Sequence, residues 1–162
     1  MIGAYGPVRP LDPTADAERV ARMFDRLSDD TVFRRFFTLA PKGDRRLLDA
    51  LLSVDHDQHE ALVMQVGTEI VAMASYHRHP DDPAVADVAV LVEDGWQHHG
   101  LGRRLMRQLT RLARQRGVDS FHADVLADNR KAMGLIRRMG STAKPRFESG
   151  ELVYDMPLVP AA

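Results

Sequence analysis

Val85-Ala86-Asp87-Val88-Ala89-Val90-Leu91-Val92-Glu93-Asp94-Gly95-Trp96-Gln97-His98-His99-Gly100-Leu101-Gly102-Arg103-Arg104 decides the fold. Its first eight residues are almost continuously apolar and read as a strand buried on both faces. Glu93-Asp94-Gly95 ends that strand. From Gly100 to Arg116 the apolar residues Leu101, Leu105, Met106, Leu109, Leu112 and Ala113 recur at three- and four-residue spacing, which predicts an amphipathic helix with Gly117 as its stop. Arg103, Arg104, Arg107, Arg111 and Arg114 fill the opposite face, as a solvated surface does. A strand, a glycine-bearing loop and a helix in succession make an anion site: the first amides of a helix have no partner inside it and carry the positive end of its dipole. Glycine lets the backbone approach a phosphate closely. The pattern is neither of two common nucleotide motifs. No Gly-Lys-Ser/Thr follows, and Leu105 stands where a dinucleotide fingerprint has its third glycine.

Outward from this unit the chain divides by element type. Before it, Val8-Arg9-Pro10-Leu11 is short and extended. A helix is predicted from Pro13 or Thr14 to about Leu27, on Ala17, Val20, Ala21, Phe24 and Leu27. Ser28-Asp29-Asp30 caps a second helix carrying Val32, Phe33, Phe36 and Phe37 on one side, which Pro41-Lys42-Gly43 breaks. A third helix spans Asp44 to Leu52 with Leu47, Leu48, Leu51 and Leu52 inward. Ala61 to Val66, a turn at Gly67-Thr68, and Ile70 to Tyr76 read as a hairpin, and Asp81-Asp82-Pro83 as a loop. After the long helix come a strand from Phe121 to Leu126, a helix capped by Asp128 or Asn129 and closed by Gly140, and a terminal hairpin of Thr142–Phe147 with Leu152–Met156. The order predicts an α/β (α+β) class: a central, mostly antiparallel mixed sheet flanked by helices.

The 162 residues suit one domain over 1–162. With 44% hydrophobic and 28% charged residues the composition is that of an ordinary globular chain. A formal net charge of −1 gives no field that would attract nucleic acid, and no apolar run is long enough to span a bilayer. The start of the chain lacks the basic head and apolar stretch of a signal peptide, so a cytoplasmic location is expected. There is no cysteine, which removes disulfides, thiolate zinc sites and cysteine nucleophiles. His56 with His59 are spaced for one face of a helical turn, and His77 with His79 for one face of a strand. Neither pair has a third ligand at suitable spacing, so no metal is expected.

The stretch Val90 to Gly102 resembles motif A of the GNAT acyltransferases, a strand followed by Q/R-x-x-G-x-G/A and a helix. Asn129-Arg130-Lys131-Ala132 with Leu135 and Gly140 resembles the second coenzyme motif of that family, and the likeness extends from Val8 to about Met156. Leu27-Ser28-Asp29-Asp30-Thr31-Val32-Phe33-Arg34-Arg35-Phe36-Phe37 is similar to a stretch of the bacterial protein-lysine acetyltransferases. The resemblance implies a sheet splayed at its centre, acetyl-CoA as cosubstrate, and an amine acceptor, with a protein lysine favoured over a small amine. A non-catalytic acyl-CoA-binding module is the reading from a different class. Implied coenzyme contacts are the loop of Gln97, His98, His99, Gly100, Leu101, Gly102 and Arg103 on the pyrophosphate, with main-chain groups of Leu91 and Val92 and the side chain of Asn129 on the pantetheine arm. Asp87 stands where the protein-lysine branch carries a glutamate base, one methylene shorter, and is expected to accept the proton of the amine; the alternative is a solvent-facing strand carboxylate. Asp124, on the neighbouring strand, could orient substrate or pair with an arginine, with the structural role favoured, and His122 on the same strand face reads as packing or surface. Ile136 occupies the position where many family members carry a tyrosine that protonates the leaving thiolate.

Overall fold

The computed structural model describes residues 5–37, 44–139, 141 and 143–158. Its strands are β1 (Arg9–Pro10), β2 (His59–Val66), β3 (Glu69–His79), β4 (Asp82–Val92), β5 (Ser120–Leu126), β6 (Arg146–Glu148) and β7 (Glu151–Pro157). Its helices are α1 (Ala17–Arg26), α2 (Asp29–Phe36), α3 (Arg45–Leu52), α4 (Leu101–Gln115) and α5 (Arg130–Arg138). Among the described residues the strands form one mixed sheet in the order β1-β2-β3-β4-β5-β7-β6. All neighbours are antiparallel except β4 and β5.

That parallel pair is short. Only Val85↔Ser120, Ala86↔Phe121 and Asp87↔His122 are in register. Beyond them β4 stays paired with β3 through Val92↔Ala72, and β5 stays paired with β7 through Leu126↔Glu151. The sheet therefore opens along the edge that Val88–Val92 would have shared with Ala123–Leu126.

Alternation along the strands sends side chains to two cores. On one face Leu62, Ala72, Ala74, Tyr76, Phe121 and Tyr154 pack with the stripe Leu101, Leu105, Met106, Leu109 and Ala113 of α4. On the other face Ala61, Val63, Ile70, Met73 and Leu91 pack with Val20, Met23 and Phe24 of α1, Val32 of α2 and Leu51 of α3. Polar ties fix the second layer to the loop after β4. Ser28 caps α2 by accepting from the Thr31 amide, and its hydroxyl donates to Asp94 at 2.7 Å. Arg26 bonds Glu93 at 2.8 Å.

Several boundaries differ from expectation. The first helix opens at Ala17, not at Pro13 or Thr14, because the Asp12 carboxylate takes the Thr14 and Ala15 amides and holds 13–16 as turns. Of Asp81-Asp82-Pro83 only Asp81 lies in the turn: β4 begins at Asp82, and Pro83 is tolerated because it falls in the register shift opposite β3 and β5 pairs only from Val85 onward. His56 and His59 lie on no helix. His56 adopts φ 61° in a turn, and His59 begins β2. Phe37 ends α2 in the left-handed region (φ 55°) and is exposed instead of packed. The expected break at Pro41-Lys42-Gly43, the stop at Gly140 and the strand start at Thr142 lie outside the described residues. The largest difference is in β4: of Val85–Val92, only Ala86 and Leu91 are buried.

Candidate active site

The gap between β4 and β5 is a cavity of about 830 Å³, within the range of small-molecule sites. Its walls include Val88, Val90 and Val92 of β4, His122, Ala123, Asp124 and Val125 of β5, and Leu135 and Ile136 of α5. This explains the half-burial of β4: the side chains that would meet a neighbouring strand face open space.

The glycine loop closes one end. Gly100 has φ 79° and His98 φ 67°, so the chain turns twice through the left-handed region before α4 starts. The second of these at a non-glycine residue is a sign of a site held in shape by its surroundings. Gln97 donates its amide to Asp94 and Arg104 donates to Gly100, but none of the amides from His98 through Arg103 donates to another described residue. Six successive free N–H groups at a helix N-terminus fit a pyrophosphate. Gly102 faces Val90, Val92 and Leu135; a Cβ there would stand 3.5 Å from two of them, so the backbone follows the cleft wall closely. Gln97, His98, Gly100, Leu101, Gly102 and Arg103 line the cavity. His99 does not; its ring lies 6.2 Å from that of Trp96, leaving only its amide for a ligand.

Of the expected contacts to the pantetheine arm, the main chain of Val92 and the side chain of Asn129 face the cleft, whereas the main-chain groups of Leu91 are taken up by β3. The Glu93 amide donates to Val71 of β3, and alternation then turns the main-chain groups of Val92 toward the cleft and those of Leu91 toward β3. The Val92 carbonyl already accepts from the Gln97 side chain at 3.0 Å, which leaves its N–H. Gln97 also accepts from Lys131 at 2.6 Å, tying the loop to the first turn of α5 across the cleft. Asn129 caps α5 by accepting from the Ala132 amide at 3.2 Å, so the side-chain NH₂ remains to face a ligand.

Asp87 occupies the last register pair before the sheet opens, on the face shared with α1, α2 and α3, and lines the cavity. Its side chain is 59% exposed, and Oδ1 lies 2.7 Å from Nε2 of His79. His77 of β3 and His122 of β5 stand directly opposite it on either side. The pairing continues outward to His59 of β2 and Asp155 of β7, so His59, His77, Asp87, His122 and Asp155 form one transverse row. Within that row the rings of His59 and His77 stack at 4.8 Å.

Sequence reasoning assigned Asp124 an arginine and His122 a packing role. Instead the two pair with each other. His122 is held at Nε2 by Asp124 (3.2 Å) and at Nδ1 by Asp155 (2.9 Å), and both His122 and Asp124 line the cavity. Burial opposes charging of the ring, but the Asp155 hydrogen bond and the charges of Asp124, Asp87 and Asp155 outweigh it and raise the His122 pKa above its ordinary value. Hydrogen bonds from His122 and Arg146 lower that of Asp155. His59 moves the other way: burial and the nearby His77 outweigh the Ser53 carbonyl at Nδ1 and push it below the usual imidazole value. The alternation His122-x-Asp124 was visible in the sequence, but Asp155 is brought in only by β5–β7 pairing. Among the described residues no group of three His, Asp or Glu side chains is placed to hold a metal ion, and no helix is long and apolar enough to cross a membrane.

This geometry has known counterparts. Acetyltransferase Pat of Mycolicibacterium smegmatis is 34% identical over 141 residues, 86% of this chain, and the chain spans 42% of the length of that relative. The GNAT domain of S. lividans PAT superposes with a TM-score of 0.84 at 29% identity, covering 93% of this chain and 89% of that one. The fold is shared with yncA of Salmonella typhimurium, solved with its cofactor acetyl-CoA, at a TM-score of 0.75 and 18% identity over 98% of this chain and 96% of that one. The model of the Acetyltransferase (GNAT) family matches residues 21–141, and the chain belongs to that family of acyltransferases.

Proposed function

We propose that the chain moves the acetyl group of acetyl-CoA to the side-chain amine of a protein lysine by direct attack, with Asp87 as proton acceptor. The observation that carries this reading is the position of Asp87. It lies where β4 and β5 part, in the wall of the same cavity that holds the free amides of His98–Arg103 at its other end. A pyrophosphate on those amides directs the pantetheine arm along the open edge of β4, with the Val92 N–H and the Asn129 NH₂ as donors to it. The thioester then reaches the fork, within range of an amine beside Asp87.

Asp87 removes one proton from the substrate ammonium, freeing the nitrogen lone pair for the thioester carbon. The N–C bond forms, the C–S bond breaks, and the thiolate leaves. Holding both reactants in one cleft supplies much of the acceleration. Ile136 lines the cavity where a tyrosine donor would stand, so the thiolate takes its proton from water. The protein-lysine acceptor is supported by the likeness of Leu27–Phe37, which forms α2 on the acceptor side, and by the relation to Pat.

The test is thiol release from acetyl-CoA with a panel of lysine peptides, proteins and small amines, comparing wild type with Asp87→Asn. Turnover is expected on a lysine acceptor, with kcat lowered by about 10²–10⁴-fold in the variant and acetyl-CoA affinity unchanged. Full turnover in the variant removes Asp87 as base. A small amine as the preferred acceptor removes the protein substrate, and acetyl-CoA binding without turnover on any acceptor removes the enzyme reading.

A further inference from the structure

We propose that His79 is the proton exit of the site, carrying the proton from Asp87 to solvent. The inference rests on the reading of Asp87 as the base. A carboxylate that has accepted a proton must lose it before the next turnover; Asp87 is 59% exposed, and once coenzyme and acceptor fill the cleft its one hydrogen-bond partner among the described residues is the way out.

Three imidazoles surround this carboxylate, and their hydrogen bonds differ. His122, opposite on β5, has both ring nitrogens engaged by Asp124 and Asp155 and no free lone pair to receive a proton. His77, opposite on β3, stacks on His59 and makes no hydrogen bond to Asp87. His79, two residues along β3, alone bonds the carboxylate, Nε2 to Oδ1 at 2.7 Å. The second oxygen of Asp87 has no partner among the described residues, leaving it for the substrate ammonium. His79 also differs in location: His77, Asp87 and His122 line the cavity, whereas His79 stands outside its wall with a side chain 37% exposed. The dyad therefore bridges the inside of the cleft and the solvent. The charged and titratable groups around it are Asp82, paired with His79 on β4; Arg78 beside it; His122, whose ring lies 6.0 Å away; and Asp124, Asp155 and Arg146 beyond that ring.

The proton balance is simple. The ammonium N–H breaks and an O–H forms on Asp87. In the resting site Nε2–H of His79 donates to the Asp87 carboxylate; once Asp87 is neutral, the exposed ring exchanges through water to its Nδ1–H tautomer, the carboxyl turns its O–H toward the ring, and the Nε2 lone pair takes that proton. The imidazolium releases the Nδ1 proton to water, which returns the ring to the Nε2–H tautomer that donates to the carboxylate. One proton has moved from amine to bulk, and both side chains are restored.

The test compares wild type, His79→Gln and Asp87→Asn on whichever acceptor turns over fastest in the panel, across pH and at several concentrations of imidazole. Glutamine keeps a hydrogen bond to Asp87 but does not titrate. His79→Gln is expected to lower kcat on the order of 10-fold in dilute buffer, less than loss of the base itself. The KM for acetyl-CoA should not move, and added imidazole should restore the rate. In wild type the ¹⁵N shifts of the His79 ring should change with Asp87→Asn and not with Asp124→Asn. A wild-type rate in His79→Gln, or a loss that imidazole does not repair, overturns the exit while leaving Asp87 as base. Full activity in Asp87→Asn, or no turnover on any acceptor, overturns the base reading and the exit with it.

Discussion

Val85–Asp87 and Val88–Val92 belong to one strand of similar composition, yet their surroundings are opposite. In the first part Ala86 and Asp87 are paired on both edges, with β3 and with β5, Val85 is paired with β5, and Ala86 is fully buried in the α4 layer with Phe121. The second part is paired only with β3, and Val88, Val90 and Val92 are half-buried against a cavity. Apolar residues in the first part stabilise the fold. In the second they line an open cavity. The difference arises because β5 leaves β4 after Asp87↔His122 and follows β7 instead.

Truncation should separate the two parts most strongly. Phe121 is fully buried and packs on Tyr76 with ring centroids 6.0 Å apart. Phe121→Ala should destabilise the protein by about 3–5 kcal/mol in denaturant unfolding, whereas Val90→Ala in the open wall should cost under about 1 kcal/mol and instead weaken acetyl-CoA binding. Equal losses of stability would mean that the cleft wall is core after all. Next, Gly102→Glu puts a better helix former in the first turn of α4 and a carboxylate beside the free amides. Acetyl-CoA affinity measured by calorimetry should fall roughly 100-fold, about 2.7 kcal/mol, with the melting temperature little changed.

The expected contrast extends to pH, with the smallest effect. The folded pKa of His122 is raised, so its clamp contributes most below the reference imidazole value of about 6.5 and loses that contribution as pH rises through the folded value. The lowered pKa of Asp155 makes its part present above about 3.9, to be lost on acidification. The gap in melting temperature between wild type and His122→Asn should therefore be widest near pH 6 and narrow by pH 8.5. A gap independent of pH would show that the ring acts by packing alone.

Local patterns carried much of this molecule in readable form. The stripe of α4, the Ser28 cap, the hairpin of β2 and β3 and the glycine loop each follow from residues close together in sequence, where helix periodicity and turn chemistry act. The half-burial of β4 was not legible, because a run of valines that lines a cavity looks like a run that fills a core. Nor was the transverse row of His59, His77, Asp87, His122 and Asp155, since strand register alone brings those five together. Asp124 pairs with a histidine two residues away on the same strand in place of the expected arginine, a contact whose spacing was visible in the sequence.

The open edge of β4 also decides what kind of damage the protein can hide. Val88, Val90 and Val92 pack only at the margin of the α4 layer, so a substitution there leaves the pairing with β3 and the fully buried residues of both layers in place. Such a variant would express, melt and migrate like its parent while having lost the wall its ligand rests on. Surveys that score variants by abundance or heat resistance would pass it as neutral, and only an assay that presents the ligand would register the defect.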